Sequence, residues 1–577
     1  MGFLIALLVL LVIAIIAFAC WFISYRKNGK CPICALEKMG VPTKVTMDIE
    51  GDEDYCNGAA LTPPMGWSSW NTFRQNISEE LILSTAAAMK LSGLLDAGYQ
   101  YINLDDCWHS SLRDKNGNLQ SDLGKFPSGI EDLVNKINFM GMKVGIYSSN
   151  GTLTCEDLPA SLGNEVRDAK TIASWGCEFF KYDFCHNKKI SGDAPVIEGI
   201  EISRIGKTAE ITLKPEDARF SGRACVVNIK RLPSGKGIGL LNHGAGTATF
   251  KPVVDVSGEY AITLLTYKSP NLTHEQYLQV IVNGEIHEIF FPKTKGFTPT
   301  GRAQLIVNLN NGENEIILRN PVRTLADSSY VQYTRMGRAL KKASKEVAAE
   351  KGTEEKPIVF SLCEWGTSLP WHWGAKAGNM WRTTHDIMPF WKSIYFIYLR
   401  NITLYKHTKP GAWNDPDMLE VGNGKLTDDE NRAHFSLWCM MSAPLILGND
   451  IRQFVNDDGT AIEDHPVLQI VTNKELIAID QDTLGKSAKR IKKVSGIDVL
   501  ARPLSNGDIA LCFFNTSSKS NGISFDINDL GGDDYLEFNA NQSSYSVHEL
   551  WSDERFNGKI ISASMPKHGV KVYRISK

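Results

Sequence analysis

Eight short apolar runs, most of them ending in polar residues and separated by longer amphipathic stretches, constrain this chain more than any other feature. They are Met65–Trp70, Tyr101–Asp106, Lys143–Ser148, Glu178–Asp183, Pro357–Cys363, Asn379–Asp386, Gly411–Leu419 and Ser442–Gly448. Strand-sized runs alternating with helix-sized ones are the pattern of βαβ units and a parallel sheet. Eight such units predict a closed (β/α)8 barrel, an α/β fold. The clearest helical stretch runs from Ser78 to about Asp96, with apolar Leu81, Leu83, Ala87, Met89, Leu91 and Leu94. Ser78 is placed to cap it, Glu79 and Glu80 suit the positive end of its dipole, and Gly98 fits its stop. Another helix is expected from Leu162 to Trp175.

The strand ends are unusually acidic, carrying Asp105, Asp106, Asp183, Glu364, Asp386, Asp415 and Asp417. A parallel strand covered on both faces is apolar, and a carboxylate at its end is costly unless paired or used. Barrel enzymes keep their active sites at the C-terminal strand ends, so these carboxylates point to one polar pocket. Asp415 and Asp417 lie in a run, Asn-Asp-Pro-Asp, that is also a good turn, and they are left outside the catalytic set.

The regularity breaks between about Asn187 and Ala326. Short alternating runs take over: Thr247–Val254, Tyr260–Tyr267, Tyr277–Val282, Gln304–Leu309 and Glu315–Leu318, with turn signals such as Asn283-Gly284 between them. This predicts a β-sandwich over residues 188–326, inserted between the fourth and fifth barrel strands. The helix due after the fourth strand resumes at about Ser329–Glu350, so the barrel occupies 59–187 and 327–486. Residues 487–577 read as a second, terminal β-sandwich, with strands at Ile497–Pro503, Ile509–Phe514, Tyr545–Leu550 and Val570–Ile575.

Taken in order, the strand-end motifs read MGWSSWN (65–71), NLDDCW (103–108), GIYS (145–148), KYDFC (181–185), SLCEWG (361–366), WRTTHD (381–386) and GAWNDPDM (411–418). In these seven motifs the chain resembles glycoside hydrolase family 27, the α-galactosidase and α-N-acetylgalactosaminidase family. The resemblance covers residues 61–187 and 328–485 and, more loosely, the terminal sandwich. It implies a (β/α)8 barrel followed by a C-terminal β-sandwich, and retaining hydrolysis of terminal α-galactose without a cofactor. By resemblance Asp183 is the nucleophile and Asp386 the general acid/base, two carboxyls that a retaining mechanism needs about 5–5.5 Å apart.

The resemblance also implies the sugar contacts. Asp105 and Asp106 match the pair that binds O6 and O4, and Trp70 matches the aromatic platform under the ring. Lys181, two residues before Asp183 on the same strand face, would keep that carboxylate charged. Arg382 matches a hydroxyl ligand, or else it is a guanidinium bridging carboxylates. Tyr147 and Trp108 belong to the pocket or to the core. On the fifth-strand loop, Cys363 and Trp365 face the substrate, and the bulk of Trp365 favours galactose over the N-acetylated sugar. Cys155 and Cys185 match a pair bonded in secreted relatives, leaving either a bond or two thiols here, while Cys107 and Cys363 lack their expected partners.

The insert departs from the family plan. Its Ser257-Gly258-Glu259-Tyr260 and Asn311-Gly312-Glu313-Asn314 runs look like carbohydrate-binding modules of the family 6 and 35 kind, which often hold calcium. The alternative is an insert that only shapes the pocket rim. A rival from another class is a membrane-tethered glycan-binding protein with an inactive barrel, but both carboxylates are present.

Residues 3–23 carry no charge and as a helix would span about 30 Å, which predicts a membrane anchor over 1–24 followed by a polar tether over 25–58. Arg26, Lys27 and Lys30 follow the run, and the positive-inside rule would then face the enzyme to the cytoplasm. A glycan substrate argues for the other side, so the side stays open, as does the oligomeric state. Cys31 and Cys34 form a lone CPIC, a weak metal or redox signal. A formal net charge of −3 without a basic run argues against nucleic acid as a partner.

Overall fold

The computed structural model describes residues 12–21, 24, 53–230, 232–268, 275–292 and 300–576. Eight parallel strands form its central sheet: β1 Met65–Ser68, β2 Tyr101–Asn103, β3 Lys143–Ser149, β4 Phe179–Asp183, β5 Val359–Leu362, β6 Met380–Arg382, β7 Trp413–Asp415 and β8 Leu445–Leu447. Each pairs in parallel with the next from β1 to β7, and β8 returns to pair with β1. A parallel bridge between Leu419 and Leu447, just beyond β7, closes the ring. All eight expected strands are present, each shorter than its apolar run except β3, which runs one residue further.

Helices α1 Glu79–Leu91, α2 Gly129–Phe139 and α3 Glu165–Ser174 lead into β2, β3 and β4. Ser78 caps α1, its hydroxyl accepting the Leu81 N–H at 3.2 Å. The stop is not at Gly98: α1 ends at Leu91, and Gly93, at φ 78°, takes the left-handed turn that releases the chain. After β4 the barrel resumes with α4 Leu325–Lys351, then α5 Trp391–Asn401 and α6 Asp428–Met440.

Two features direct the polar residues to one end of the barrel. Tyr101, Phe179, Val359, Met380 and Trp413, each the first residue of its strand, pack with Ala59 and Ala60 into one apolar cluster that floors the N-terminal end. The strand register then sets Lys181 beside Tyr147 on one side and Ser361 on the other, Asp183 beside Ser149, and Arg382 beside Asp415.

The segment Lys188–Val331 belongs to a compact unit of its own. It holds two large antiparallel sheets and a two-stranded one, 253–254 with 312–313. Of the large sheets one is ordered 285–291, 276–282, 316–319, 246–250, 219–222, and the other is built around 258–267 with 300–309 and 196–204 at its sides. Ile197, Ile200, Ile202, Ile262 and Leu264 of one sheet share a core with Phe250, Leu278, Val280, Ile316 and Leu318 of the other.

At the C-terminus a six-stranded antiparallel sheet faces a two-stranded one, Asn521–Asp526 with Ile560–Met565. This sandwich is fixed to the barrel by buried polar contacts. The Asp498 carboxylate accepts the Tyr398 hydroxyl of α5 at 2.8 Å, and His568 meets Glu430 of α6 at 2.7 Å while its ring stacks on Trp391.

Residues 12–21 are helical, but most of the apolar run 3–23 lies outside the described residues, as do Cys31 and Cys34. Among the described residues no helix is long and apolar enough to cross a membrane.

Candidate active site

A small cleft of about 80 Å³ opens at the C-terminal strand ends. Trp70, Asn71, Asp105, Asp106, Tyr147, Cys155, Lys181, Asp183, Trp365, Arg382, Asp386, Asp417 and Met418 line it. Of the residues singled out in the sequence, the cleft gathers both proposed catalytic carboxyls and all the sugar contacts but one.

One wall is organised by Lys181, whose Nζ donates to Asp105 Oδ2 at 2.8 Å. Burial by itself would depress this ammonium, but the neighbouring carboxylates of Asp105 and Asp183 win and hold its pKa well above the ordinary lysine value. Asp105 and Asp106 are consecutive and still reach the same cleft. The strand ends at Asn103, and the backbone turns through the left-handed region at Cys107, φ 73°. Asp106 is pinned by two backbone donors, Cys107 N–H at 2.7 Å and Glu156 N–H at 3.0 Å, and burial pushes its carboxyl up to about 6.

Asp183, the last residue of β4, is buried, and its Oδ1 accepts the N–H of Phe184 at 2.8 Å. Its backbone carbonyl accepts Asn150 N–H at 2.8 Å and the Tyr333 hydroxyl at 3.3 Å, so the strand end is held from behind. Burial raises its pKa to about 6; the Lys181 charge pulls downward while Asp105 and Asp386 push upward. Cys155 and Cys185 are joined as a disulfide that ties the loop after β3 to the residues just past Asp183.

The opposite wall is organised by Arg382. Its Nη2 lies 3.0 Å from Asp386 Oδ1 and 2.7 Å from Asp417 Oδ2. Asp386 is the exposed partner, its side chain 67% accessible against 6% for Asp417. Burial favours the neutral form of Asp386, but the charges of Arg382 and Lys181 outweigh it and hold the carboxyl below its ordinary value. Trp365 closes the cleft from the β5 loop. Its backbone is left-handed at φ 59°, and its ring stacks on His385 at 6.0 Å and meets Phe184 edge-on at 6.1 Å.

The profile of the family described as "Alpha galactosidase A" matches residues 62–201 and 327–482, and that of the "Alpha galactosidase C-terminal beta sandwich domain" matches 494–575. The chain belongs to the α-galactosidase A family. Alpha-galactosidase 2 of Arabidopsis thaliana is 31% identical over 525 residues, covering 90% of this chain and 91% of the relative. Alpha-galactosidase of Coffea arabica is 32% identical, covering 91% and 97%. Among solved structures, alpha-galactosidase I from Mortierella vinacea superposes with a TM-score of 0.61 at 26% identity, covering 90% of this chain and 98% of the other. The first profile leaves 202–326 unmatched, a stretch within the separate unit.

Set against the family's motifs, one residue stands differently from its sequence reading, and the open readings of two others are narrowed. Cys363 does not line the cleft: it is buried behind Arg382, with its Sγ 3.6 Å from Nη1. Trp108 is fully buried, and its indole donates to the Tyr147 carbonyl at 2.9 Å. Asp417, counted among the pocket carboxylates but left outside the catalytic set, lines the cleft in a left-handed conformation, φ 80°. Asn71 and Met418 also line it, although no contact had been assigned to them. They sit inside the MGWSSWN and GAWNDPDM motifs, which was the available signal. Among the described residues the one set of three His, Cys, Asp or Glu close enough to share a metal ion is Cys155, Asp183 and Cys185, and its two cysteines are bonded to each other.

The cost of this polar interior shows in further buried carboxyls. Burial lifts Asp415 to about 6, Glu420 to about 7 and Glu364 to about 8. Where a carboxyl pKa is raised by folding, the native state holds the proton longer, so stability is full at low pH and is lost as pH rises through the raised value. Above about pH 7, where buried His109, His407 and His434 are neutral in the native state and histidines are largely neutral in the unfolded one, Glu420, Glu364 and the buried Asp480 carboxyl, pushed well above its ordinary value, dominate this effect. The melting temperature is expected to fall between about pH 7 and 8, and Glu364→Gln to flatten part of that slope. Differential scanning calorimetry checks both; a melting temperature that rises over this interval contradicts the assignment.

Proposed function

We infer that the chain hydrolyses terminal α-galactosides with retention of configuration. The observation that carries this reading is that Asp183, ending β4, and Asp386, beyond β6, line one cleft and sense each other's charge. In the first displacement an Asp183 oxygen attacks the anomeric carbon as the bond to the leaving oxygen breaks, and Asp386 gives its proton to that oxygen. In the second, Asp386 takes a proton from water, the water oxygen attacks the same carbon, and the ester bond to Asp183 breaks. Neither step needs a cofactor. Asp105, Asp106, Lys181 and Arg382 supply fixed donors and acceptors for sugar hydroxyls. A hydroxyl that meets none of them leaves a buried charge unpaired, which is how such a site rejects the wrong epimer. Trp365, held by His385 and Phe184, supports galactose over its 2-acetamido analogue by occupying space.

Proton NMR of an early time course with 4-nitrophenyl α-galactoside is expected to show α-galactose as the first anomer, with the N-acetylgalactosaminide cleaved at least about tenfold more slowly. β-Galactose appearing first, or faster cleavage of the acetamido substrate, would overturn the reading.

The two carboxyls share one proton in the productive form, so kcat/KM follows a bell. The ascending limb lies below the ordinary carboxyl value and the descending limb near 6, where the pair loses its last proton. With Asp386 held low and Asp183 raised, that proton rests mainly on Asp183, and the productive tautomer, Asp183 charged and Asp386 protonated, is the lesser one. The Lys181 charge lowers both groups. Lys181→Met is therefore expected to move the whole bell to higher pH, by about one unit, for an α-galactosyl disaccharide whose leaving group needs the acid. An unmoved bell, or one displaced to lower pH, contradicts the electrostatics.

A further inference from the structure

We propose that Asp417 is a positioning residue for acid catalysis: it draws the charge of Arg382 away from Asp386 and holds the backbone behind that acid, leaving Asp386 able to carry a proton. The proposal rests on the reading of Asp386 as the general acid/base.

A general acid beside a guanidinium is a contradiction unless something else neutralises the cation. A nearby positive charge stabilises the carboxylate and discourages protonation. Arg382 is buried and faces two carboxylates with the same Nη2. The contact to Asp417 is the shorter, 2.7 Å against 3.0 Å, and the more enclosed. A pair shielded from water is electrostatically stronger than one at an exposed side chain, so the contact to Asp417 holds Arg382 more tightly at short range, although burial pushes the Asp417 carboxyl itself above its ordinary value against the pull of Arg382.

The remaining contacts of Asp417 fit this task. Its Oδ2 accepts the N–H of Ile387 at 2.8 Å, which anchors the peptide immediately after Asp386. Its Oδ1 accepts the N–H of Met418 at 2.8 Å, its own N–H donates to Asp415 Oδ1 at 2.8 Å, and its carbonyl accepts the Trp438 indole at 2.8 Å. One carboxylate thus fixes both the cation and the backbone of the acid. The left-handed backbone at Asp417, φ 80°, is strained for a residue with a Cβ, and such strain persists where the surroundings over-determine it. The charged and titratable groups around this pair are Arg382, His385 and Asp386 from β6 and the segment after it, Asp415 from β7 and Glu420 beyond it, Lys181 and Asp183 from β4, and Asp105 after β2.

Asp417→Asn keeps the size and, with its amide oxygen turned to Ile387, that acceptor, but it removes the charge and the acceptor for Met418. The full charge of Arg382 then falls on Asp386 and holds it ionised. Acid assistance matters only for a leaving group that cannot depart as an anion, so the loss must depend on the leaving group, whereas a merely structural role lowers all substrates alike. The test is kcat/KM, which follows the first displacement, across a series of aryl α-galactosides and an α-galactosyl disaccharide, for wild type, D417N, D417E and D386N. For D417N the expected change is within about threefold for the most acidic phenol and a loss of about fiftyfold or more for the disaccharide. D417E, which keeps the charge, is expected to keep the wild-type leaving-group slope whatever its overall rate, and so decides the matter if D417N fails to fold. A D417N slope equal to wild type, or a D417E slope as steep as that of D386N, overturns the proposal while leaving the acid/base reading intact. Uniform loss across the series in D386N overturns that reading, and the proposal with it.

Discussion

The ion pair between Lys181 and Asp105 is the contact on which the polar end of the barrel depends. A group of carboxylates enclosed by eight strands cannot all ionise unless cations are enclosed with them. Lys181 supplies one, reaching Asp105 directly and Asp183 through space, and Arg382 supplies the other, between Asp386 and Asp417. The two cations divide the cleft into a nucleophile wall and an acid wall. Both are carried on strands whose register is fixed by pairing, so their positions follow from the barrel and not from loop conformation. The apolar floor of first-in-strand residues completes the arrangement by leaving the polar side chains only the C-terminal end to occupy.

Much of this is legible in the sequence because barrel physics is periodic. A strand buried on both faces reads as an apolar run, and the first polar residue after it marks the end that holds chemistry. Asp105, Asp183 and Arg382 were visible for that reason. What escaped the pattern did so for local reasons. The strand Val196–Arg204 hides its alternation because Ile197 and Ile200 both point into the core three residues apart, and the register slips opposite Leu265 and Thr266. A bulge of this kind adds a residue and breaks the period of two. Lys489–Val494 reads as a charged stretch because it is an edge strand, where lysines guard an unpaired backbone. Cys363 and Trp108 could not be assigned from spacing, since the turn after a strand decides whether a side chain enters the cleft or the core behind it.

Asp417 shows the same limit from the other side. Its Asn-Asp-Pro-Asp setting reads correctly as a turn, and the turn is what aims the carboxylate. Turn chemistry and site chemistry are the same residues here: Asp415 holds the Asp417 N–H, and Asp417 holds Ile387 and Arg382. The insert, by contrast, folds around a core of its own, and most of it, 202–326, lies outside the stretch matched to the family. The chemistry of the cleft is assembled entirely from residues of the barrel segments before and after it.

The central claim is that a charged Asp183, opposed by Lys181, bonds to the sugar. The most direct measurement uses a fluorinated galactosyl fluoride that forms the glycosyl ester quickly and releases it slowly, followed by peptide mass spectrometry of the trapped enzyme. An adduct on Asp183 is expected. An adduct on Asp386, or full turnover of the reagent with no adduct and inverted product, contradicts it.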